Sequence, residues 1–222
     1  MRRRWWWWWW WGGLVFCLTL LIELPAAWVA RVAGLPMHGV SGSLWHGQAR
    51  QFGVVGPLRW TLQPWRLQAN AQLGFQGQGW QLHVEGWPWR WRLEALALGA
   101  QATEQTDYRL AGQWHGRLQL QGAGRQCRTS EGRITVNDLA LSQPWSLGLG
   151  QGWLEMDCRT GWRLHGLVAQ PGQHQLSVDA DVVERRAQVA FELQPDAELI
   201  PVLRGAQWLS PQATKGNRSL HW

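Results

Sequence analysis

The chain contains few of the residue arrangements on which enzymes and metal sites depend. Its 7 histidines are scattered, and none forms a His-x-x-x-His or His-x-His pair. Residues Gly39–Ser43 resemble the turn that carries a serine nucleophile, but that turn requires glycine where Ser43 stands. Gly148–Gly152 has no lysine of the kind found in a phosphate-binding loop. We therefore expect no catalytic residues, no metal and no cofactor, and the protein is predicted not to be an enzyme.

Lysine is also scarce, because Lys215 is the only lysine among the 21 basic residues. The formal net charge is +6 at neutral pH, and Arg2, Arg3 and Arg4 carry three of these charges at the N-terminus. The other arginines are interleaved with acidic residues and glutamine. A nucleic-acid-binding surface needs a basic stripe on one face, so we expect no nucleic-acid partner.

The N-terminal segment combines this basic flank with a long apolar stretch. Trp5–Trp11 follows the arginines, no charge appears before Glu23, and apolar residues then resume up to Val29. A transmembrane helix needs about 20 mostly apolar residues, and basic residues favour the cytoplasmic side. We predict a cytoplasmic flank at residues 1–4 and a transmembrane anchor at residues 5–30. A cleaved signal peptide is the alternative.

Most of the remaining chain alternates between apolar and polar residues, as half-buried antiparallel strands do. The pattern is clear in Leu58–Leu62, Trp80–Val84 and Ala187–Leu193. We predict an all-β domain at residues 31–200, built as a curved antiparallel sheet or a β-sandwich of about ten short strands. The apolar face would form a core if the sheet closes and an apolar groove if it stays open. Residues 201–222 are predicted to be a loose C-terminal tail.

Glycines and tryptophans punctuate the segment that follows the predicted anchor. Two stretches, Gly39–Ala49 and Gly56–Leu67, are each centred on a tryptophan. Their pattern resembles the start of the soluble domain of type II secretion system protein N, and the resemblance covers about residues 24–200. The motif positions that carry it are Gly39, Val40, Ser41, Gly42, Leu44, Trp45, Gly47, Trp60 and Pro64.

This resemblance implies a single-pass inner-membrane protein whose N-terminus is cytoplasmic and whose main domain is periplasmic. It implies a non-catalytic role in the apparatus that exports folded periplasmic proteins across the outer membrane. The implied partners are the C, L and M components and the secretin. An alternative is a periplasmic β domain that binds or shuttles lipids or glycolipids, since such domains use a similar folded sheet.

Two cysteines, Cys127 and Cys158, follow the predicted anchor, and both precede a stretch with strand character. Two cysteines in an extracytoplasmic domain are expected to form a disulfide. Members of the protein N family also have a cysteine pair around a glycine-rich segment, which here is Leu147–Gly150. Free thiols are the alternative.

The first predicted strand pair, around Ser43–Ala49 and Pro57–Leu62, lies closest in sequence to the anchor. Sheet edges can bind a strand from a partner. We therefore predict that partner contact involves this membrane-proximal end of the sheet, with Leu44, Trp45 and Trp60 packing in the core.

Overall fold

The computed structural model describes residues 10–16, 19–20, 23–53, 55–75, 77–100, 109–143 and 146–222. The predicted cytoplasmic flank, the first five residues of the tryptophan run and Cys17 lie outside these residues. Besides the helical residues 10–16 and 19–20, the described chain has two short α-helices, α1 (Ala26–Val32) and α2 (Leu199–Gly205), and a 3₁₀ helix at Pro64–Arg66.

Strands form nearly all of the remaining described structure. They are β1 (Met37–His38), β2 (Ser41–Gly42), β3 (His46–Ala49), β4 (Gln51–Phe52), β5 (Leu58–Gln63), β6 (Gln68–Phe75), β7 (Gln78–Trp87), β8 (Arg90–Ala100), β9 (Arg109–Ala123), β10 (Gln126–Gln143), β11 (Leu147–Asp157), β12 (Arg163–Gln170), β13 (His174–Asp181), β14 (Arg186–Leu193) and β15 (Lys215–His221).

Thirteen of these strands form one antiparallel sheet, in the order β2-β3-β5-β6-β7-β8-β9-β10-β11-β12-β13-β14-β15. Strands β1 and β4 form a separate two-stranded ribbon beside it. Each strand of the large sheet lies beside the strand that precedes it, so the sheet is a meander. The connections consequently alternate between its two ends.

The all-β prediction is confirmed, and of its two alternatives the structure has the large antiparallel sheet and not a β-sandwich. The expected number and length of the strands were wrong, because the strands are more numerous and longer than predicted. Strand β10 extends over 18 residues. Its pairing with β9 and β11 shifts register between Val136 and Ala140. Such a shift interrupts the alternation of side chains between the faces, so one long strand resembles two short ones in the sequence.

The sheet curls strongly in its middle. Trp91 lies on β8 and Trp162 directly precedes β12, yet their stacked rings have centroids only 5.6 Å apart. Strands are spaced about 4.8 Å apart, so the four strand steps from β8 to β12 would span about 19 Å on a flat sheet. Glycines permit the bending: Gly116 and Gly132 have φ angles of +98° and +90°, and a Cβ on either would lie 2.3 Å from a carbonyl oxygen of the paired strand.

Two separate clusters of buried residues lie along this sheet. One surrounds the Cys127–Cys158 pair and includes Leu118, Leu120 and Ile134. The other lies at the C-terminal end of the sheet, where α2 covers it. Many apolar side chains beside both clusters are only partly buried. The apolar face is therefore covered in two places and not by one continuous core.

The C-terminal residues belong to the second cluster, so the prediction of a loose tail at residues 201–222 was wrong. Leu203 of α2 and Leu209 are buried together with Phe191 of β14. Strand β15 pairs with β14 along its whole length, from Lys215 to His221. Backbone hydrogen bonds attach this strand to the sheet. It therefore needs few apolar residues, and its sequence lacks the apolar alternation by which the other strands were recognised.

The N-terminal segment contains apolar side chains that the described structure leaves exposed. Trp10, Trp11 and Phe16 are helical and exposed. Within the described ranges, no helix combines the length and the apolar character needed to cross a membrane.

A contact with the sheet follows directly after this segment. The backbone N–H of Leu44 donates to the carbonyl of Leu24 at 2.9 Å, and Pro25 forms a β-bridge with Ser43. Proline disfavours helix at the residue before it, so the chain is extended here before α1 begins at Ala26. Residues 24–30, which the sequence prediction assigned to the anchor, therefore pack with the sheet.

Candidate functional site

Most of the motif residues form a tight hairpin that joins β2 to β3. The Ser43 N–H donates to the His46 carbonyl at 2.9 Å, and the His46 N–H donates to Ser43 Oγ at 3.1 Å. Gly42 has a φ of +90°, and a Cβ there would lie 2.4 Å from the His46 oxygen. Only glycine adopts this conformation without strain and without a collision. The motif thus encodes the shape of the hairpin.

Trp60 fixes this hairpin to β5. Trp60 pairs directly with Gly47, and a Cβ on Gly47 would lie only 2.2 Å from Cζ2 of the indole. The indole N–H donates to the Leu44 carbonyl at 3.0 Å. An aromatic ring that covers a glycine on a neighbouring strand restores the packing that the glycine lacks. Trp60 therefore packs against the hairpin, but it is half-buried and lies outside both buried clusters, so it is not the core residue that we predicted.

The remaining motif positions extend this arrangement in both directions. The Leu62 N–H donates to the Trp45 carbonyl at 2.7 Å, and Pro64 begins the 3₁₀ helix that follows β5. Gly39 has a φ of +63° and lies against the side chain of Arg50. Val40 is partly buried and lines a cleft with Ser41, Arg50 and Arg59. The cleft has a volume of about 380 Å³.

The contacts of the motif residues are packing contacts and backbone hydrogen bonds. Within the described parts of the chain, no group of three or more His, Cys, Asp or Glu residues could hold a metal ion. The residues that line the cleft include two arginines and no carboxylate. The structure brings the motif residues together as a structural unit, and Pro64 follows β5 at the end of that strand that lies beside the hairpin turn.

A second cluster surrounds the disulfide that joins Cys127 to Cys158, whose Cα atoms lie 5.1 Å apart. This disulfide connects the beginning of β10 to the end of β11. Trp91 and Trp162 stack beside it, and their indole N–H groups donate to the carbonyls of Gly124 and Arg125, at 3.0 and 2.8 Å. Both rings therefore hold the turn between β9 and β10.

Trp91 also repeats the arrangement seen at Trp60. It pairs with Gly122, and a Cβ there would lie 2.3 Å from Cζ2 of Trp91. Phe191 covers Gly216 of β15 in the same way. Sequence reasoning missed these pairs, because a glycine opposite an aromatic residue is recognisable only once the register of the strands is known.

The polar face of the sheet carries exposed ion pairs. Arg133 bonds to Glu155 at 2.7 Å, and Arg92 bonds to Glu85 at 2.9 Å. Exposed pairs of this kind contribute at most about 1 kcal/mol each. The backbone N–H and side chain of Arg159 hold the pKa of Asp157 below its ordinary value. These pairs belong to a solvated face and show no catalytic arrangement.

His174 is the one histidine that is buried among the described residues. Burial lowers its pKa below the ordinary value of 6.5, although a contact of 3.2 Å between its Nε2 and the Leu149 carbonyl opposes this effect. The ring is therefore neutral at neutral pH, and it donates from Nε2 to that carbonyl. From β13, this side chain supplies a hydrogen-bond donor to the backbone carbonyl of Leu149 in β11.

The two edges of the large sheet differ in length. Strand β2 is only two residues long and pairs with Gly47 and Gln48 of β3. Gln48 also pairs with Arg59, so it lies inside the sheet and not at its edge. The edge that we predicted around Ser43–Ala49 is therefore largely covered.

Strand β15 forms the other edge and has seven residues, most of them exposed. The Leu193 N–H donates to the Thr214 carbonyl, and the Trp222 N–H donates to the Arg185 carbonyl. Bonded pairs alternate along antiparallel strands, so every second residue of β15 directs its backbone groups away from β14. These residues are Lys215, Asn217, Ser219 and His221.

These features define a β protein with one large antiparallel sheet, and its motif residues shape that sheet and fasten its first strands together. The family model described as type II secretion system (T2SS), protein N, matches residues 33–220. The chain belongs to this family. It is therefore a component of the type II secretion system and works together with the other components of that system. No curated protein matches the chain. No solved structure matches it either.

Proposed function

We propose that the chain is a non-catalytic inner-membrane component of the type II secretion system. Its N-terminal apolar segment anchors it, and its sheet lies in the periplasm, where it supports assembly or function of the apparatus that exports folded proteins. The exposed apolar residues Trp10, Trp11 and Phe16 support the anchoring. The Cys127–Cys158 disulfide supports a periplasmic location, because disulfides persist in oxidising compartments.

The uncovered edge of β15 is the observation that carries this proposal. Four of its seven residues, Lys215, Asn217, Ser219 and His221, direct their backbone donors and acceptors outward, whereas the opposite edge strand β2 has only two residues. Addition of a partner strand to such an edge gives specific binding without any reaction chemistry. The partner is a strand of another component: the C, L or M protein or the secretin.

A proline substitution at Ser219 tests this edge. Ser219 directs its N–H outward, so proline removes one donor to the partner and leaves the bonds to β14 in place. Ser219→Ala is the matched control, because it keeps the backbone N–H. We expect the parent and Ser219→Ala to recover other secretion components from solubilised membranes and to support exoprotein secretion. Ser219→Pro should recover less of them and secrete less.

The test is valid only if Ser219→Pro is folded. Thermal unfolding of the purified variant shows whether it is. A folded Ser219→Pro protein that binds and secretes like the parent would show that the partner does not add to β15. Loss of the whole chain without any effect on secretion would contradict the secretion role itself.

A lipid-binding or lipid-shuttling role is the second candidate. The observation that favours it is the apolar face of the sheet, where Leu82, Leu93 and Met156 remain partly exposed beside the disulfide cluster. A cell that lacks the chain distinguishes the two roles. Reduced exoprotein secretion with an intact outer membrane supports the secretion role. Normal secretion with a more permeable outer membrane supports the lipid role.

A further inference from the structure

One end of the sheet carries a row of exposed apolar side chains. Because the sheet is a meander, the turns at residues 43–45, 64–67, 88–89, 124–125, 158–162 and 182–185 all lie at this end, together with the C-terminal Trp222. We call it the tryptophan end. The turns at residues 76–77 and 171–173 lie at the opposite end.

Backbone hydrogen bonds connect several neighbouring strands and turns at the tryptophan end. The Gly86 N–H donates to the Leu67 carbonyl at 2.9 Å, and the Gly124 N–H donates to the Pro88 carbonyl at 2.7 Å. The Val182 N–H donates to the Trp162 carbonyl at 3.0 Å. The side chains of these turns therefore face one common environment.

Large apolar side chains at these turns are exposed to an unusual degree. Trp65 is 71% exposed, Trp89 66%, Val183 65% and Trp222 59%. Trp87 stacks on Trp89 with ring centroids 4.9 Å apart, so the pair presents one flat apolar surface. Exposed side chains of this kind at three of the six turns, together with Trp222, form apolar patches that mark an interaction surface.

The same turns carry arginine, and this combination fits the surface of a bilayer. Arg66 adjoins Trp65, Arg90 adjoins Trp89, and Arg185 lies in the turn that contains Val183; all three arginines are exposed. Tryptophan prefers the interfacial region of a membrane. Arginine near the surface is attracted by anionic phospholipids.

The path of the chain places this end beside the apolar N-terminal segment. That segment leads to Leu24, whose carbonyl is bonded by the Leu44 N–H in the first turn of the tryptophan end. Trp28 of α1 follows and is also exposed. A membrane that holds the N-terminal segment would therefore lie next to the tryptophan end.

We propose that the tryptophan end docks on the lipid leaflet from which the N-terminal segment emerges. The exposed tryptophans lie at the level of the headgroups, and the arginines contact anionic phospholipids. The sheet consequently stands with its opposite end away from the bilayer. This inference rests on the membrane anchoring proposed above, and it adds an orientation that the anchor alone does not impose.

Fluorescent labels at the two ends of the sheet test this orientation. In the full chain with Cys17→Ser, which keeps the Cys127–Cys158 disulfide, Trp89→Cys places a label at the tryptophan end. Phe75→Cys is the matched control at the opposite end. Strand β7 between these positions has 10 residues, which at about 3.3 Å per residue separates the labels by about 30 Å.

The labelled protein is reconstituted into vesicles of phosphatidylethanolamine and phosphatidylglycerol that carry a headgroup nitroxide quencher. We expect the label at position 89 to lose most of its emission and the label at position 75 to keep it. Flotation of the vesicles shows separately whether the protein is membrane-bound.

Each other result contradicts the proposal in a distinguishable way. If the protein floats with the vesicles and neither label is quenched, the docking is wrong and the anchoring stands. Quenching of both labels means that the sheet lies along the membrane and does not stand on it. A protein that does not float refutes the anchoring and, with it, this inference.

Discussion

The indole of Trp60 occupies the space that a side chain on Gly47 would fill, on the neighbouring strand, and its N–H bonds to the Leu44 carbonyl at 3.0 Å. The ring of Trp60 thereby leaves room only for glycine at position 47 of the neighbouring strand, and its N–H group holds the hairpin turn in place. Trp91 does the same with Gly122 and the Gly124 carbonyl. The family motif therefore combines residues that depend on each other physically, although more than ten positions separate them in sequence.

Substitution of Gly47 tests this relationship. In Gly47→Ala the new methyl would lie 2.2 Å from the Trp60 ring, so the ring must move and the bond to Leu44 is strained. We expect a loss of about 1–3 kcal/mol in the free energy of unfolding, as for other overpacked sites. Urea titration of the purified chain, followed by tryptophan fluorescence, measures it.

Gly205→Ala is the control for this substitution. Gly205 is the last residue of α2, and a Cβ there meets no atom within 4 Å. We expect its stability to remain within about 0.5 kcal/mol of the parent. Equal effects of the two substitutions would show that Trp60 does not constrain Gly47.

Alternation in the sequence predicted the strands well where the register is regular. Leu58–Leu62 lies in β5 and Trp80–Val84 lies in β7, as expected. The pattern failed for β10, where a register shift hides a single long strand, and for β15. The latter is an edge strand of mostly polar residues, attached by backbone bonds that leave no periodic signal.

The candidate site shows a similar division. The glycines of the hairpin were recognisable from sequence, because turns need them. The aromatic residues that cover Gly47, Gly122 and Gly216 could not be assigned, because each pair depends on strand register. The tryptophan end was equally hidden, since only the topology shows that distant turns share one end of the sheet.

Removal of the disulfide should weaken the middle of the sheet. Cys127 and Cys158 are 31 positions apart, and opening a loop of this size costs about 3–4 kcal/mol in the chain-entropy model. We expect Cys127→Ser/Cys158→Ser to unfold at correspondingly lower urea. Peptide mapping of the parent without reductant should recover the linked pair, and alkylation of both cysteines under those conditions would refute the bond.

The buried His174 should make stability depend on pH. Its pKa is lower in the folded chain than the ordinary value of 6.5, mainly because of burial. The unfolded chain therefore binds more protons than the folded chain. The free energy of unfolding decreases as the pH falls from about 6.5 towards the pKa of His174 in the folded chain. The stabilising contribution is complete above that range. Urea titrations between neutral pH and mildly acidic pH measure this loss.

His174→Gln provides the test, because glutamine can still donate to the Leu149 carbonyl but does not titrate. We expect a smaller loss of stability on acidification than in the parent. An unchanged pH dependence in His174→Gln would show that another group is responsible.

A reporter at the C-terminus tests the proposed topology. Trp222 is exposed and follows β15 directly, so an enzyme fused after it should not disturb the sheet. Alkaline phosphatase is active only outside the cytoplasm, and we expect this fusion to be active. Replacement of Arg2, Arg3 and Arg4 by glutamine removes the basic flank that keeps the N-terminus inside, and it should lower the activity per molecule. An inactive parental fusion, with an active cytoplasmic reporter at the same position, would place the sheet in the cytoplasm and overturn the proposed location.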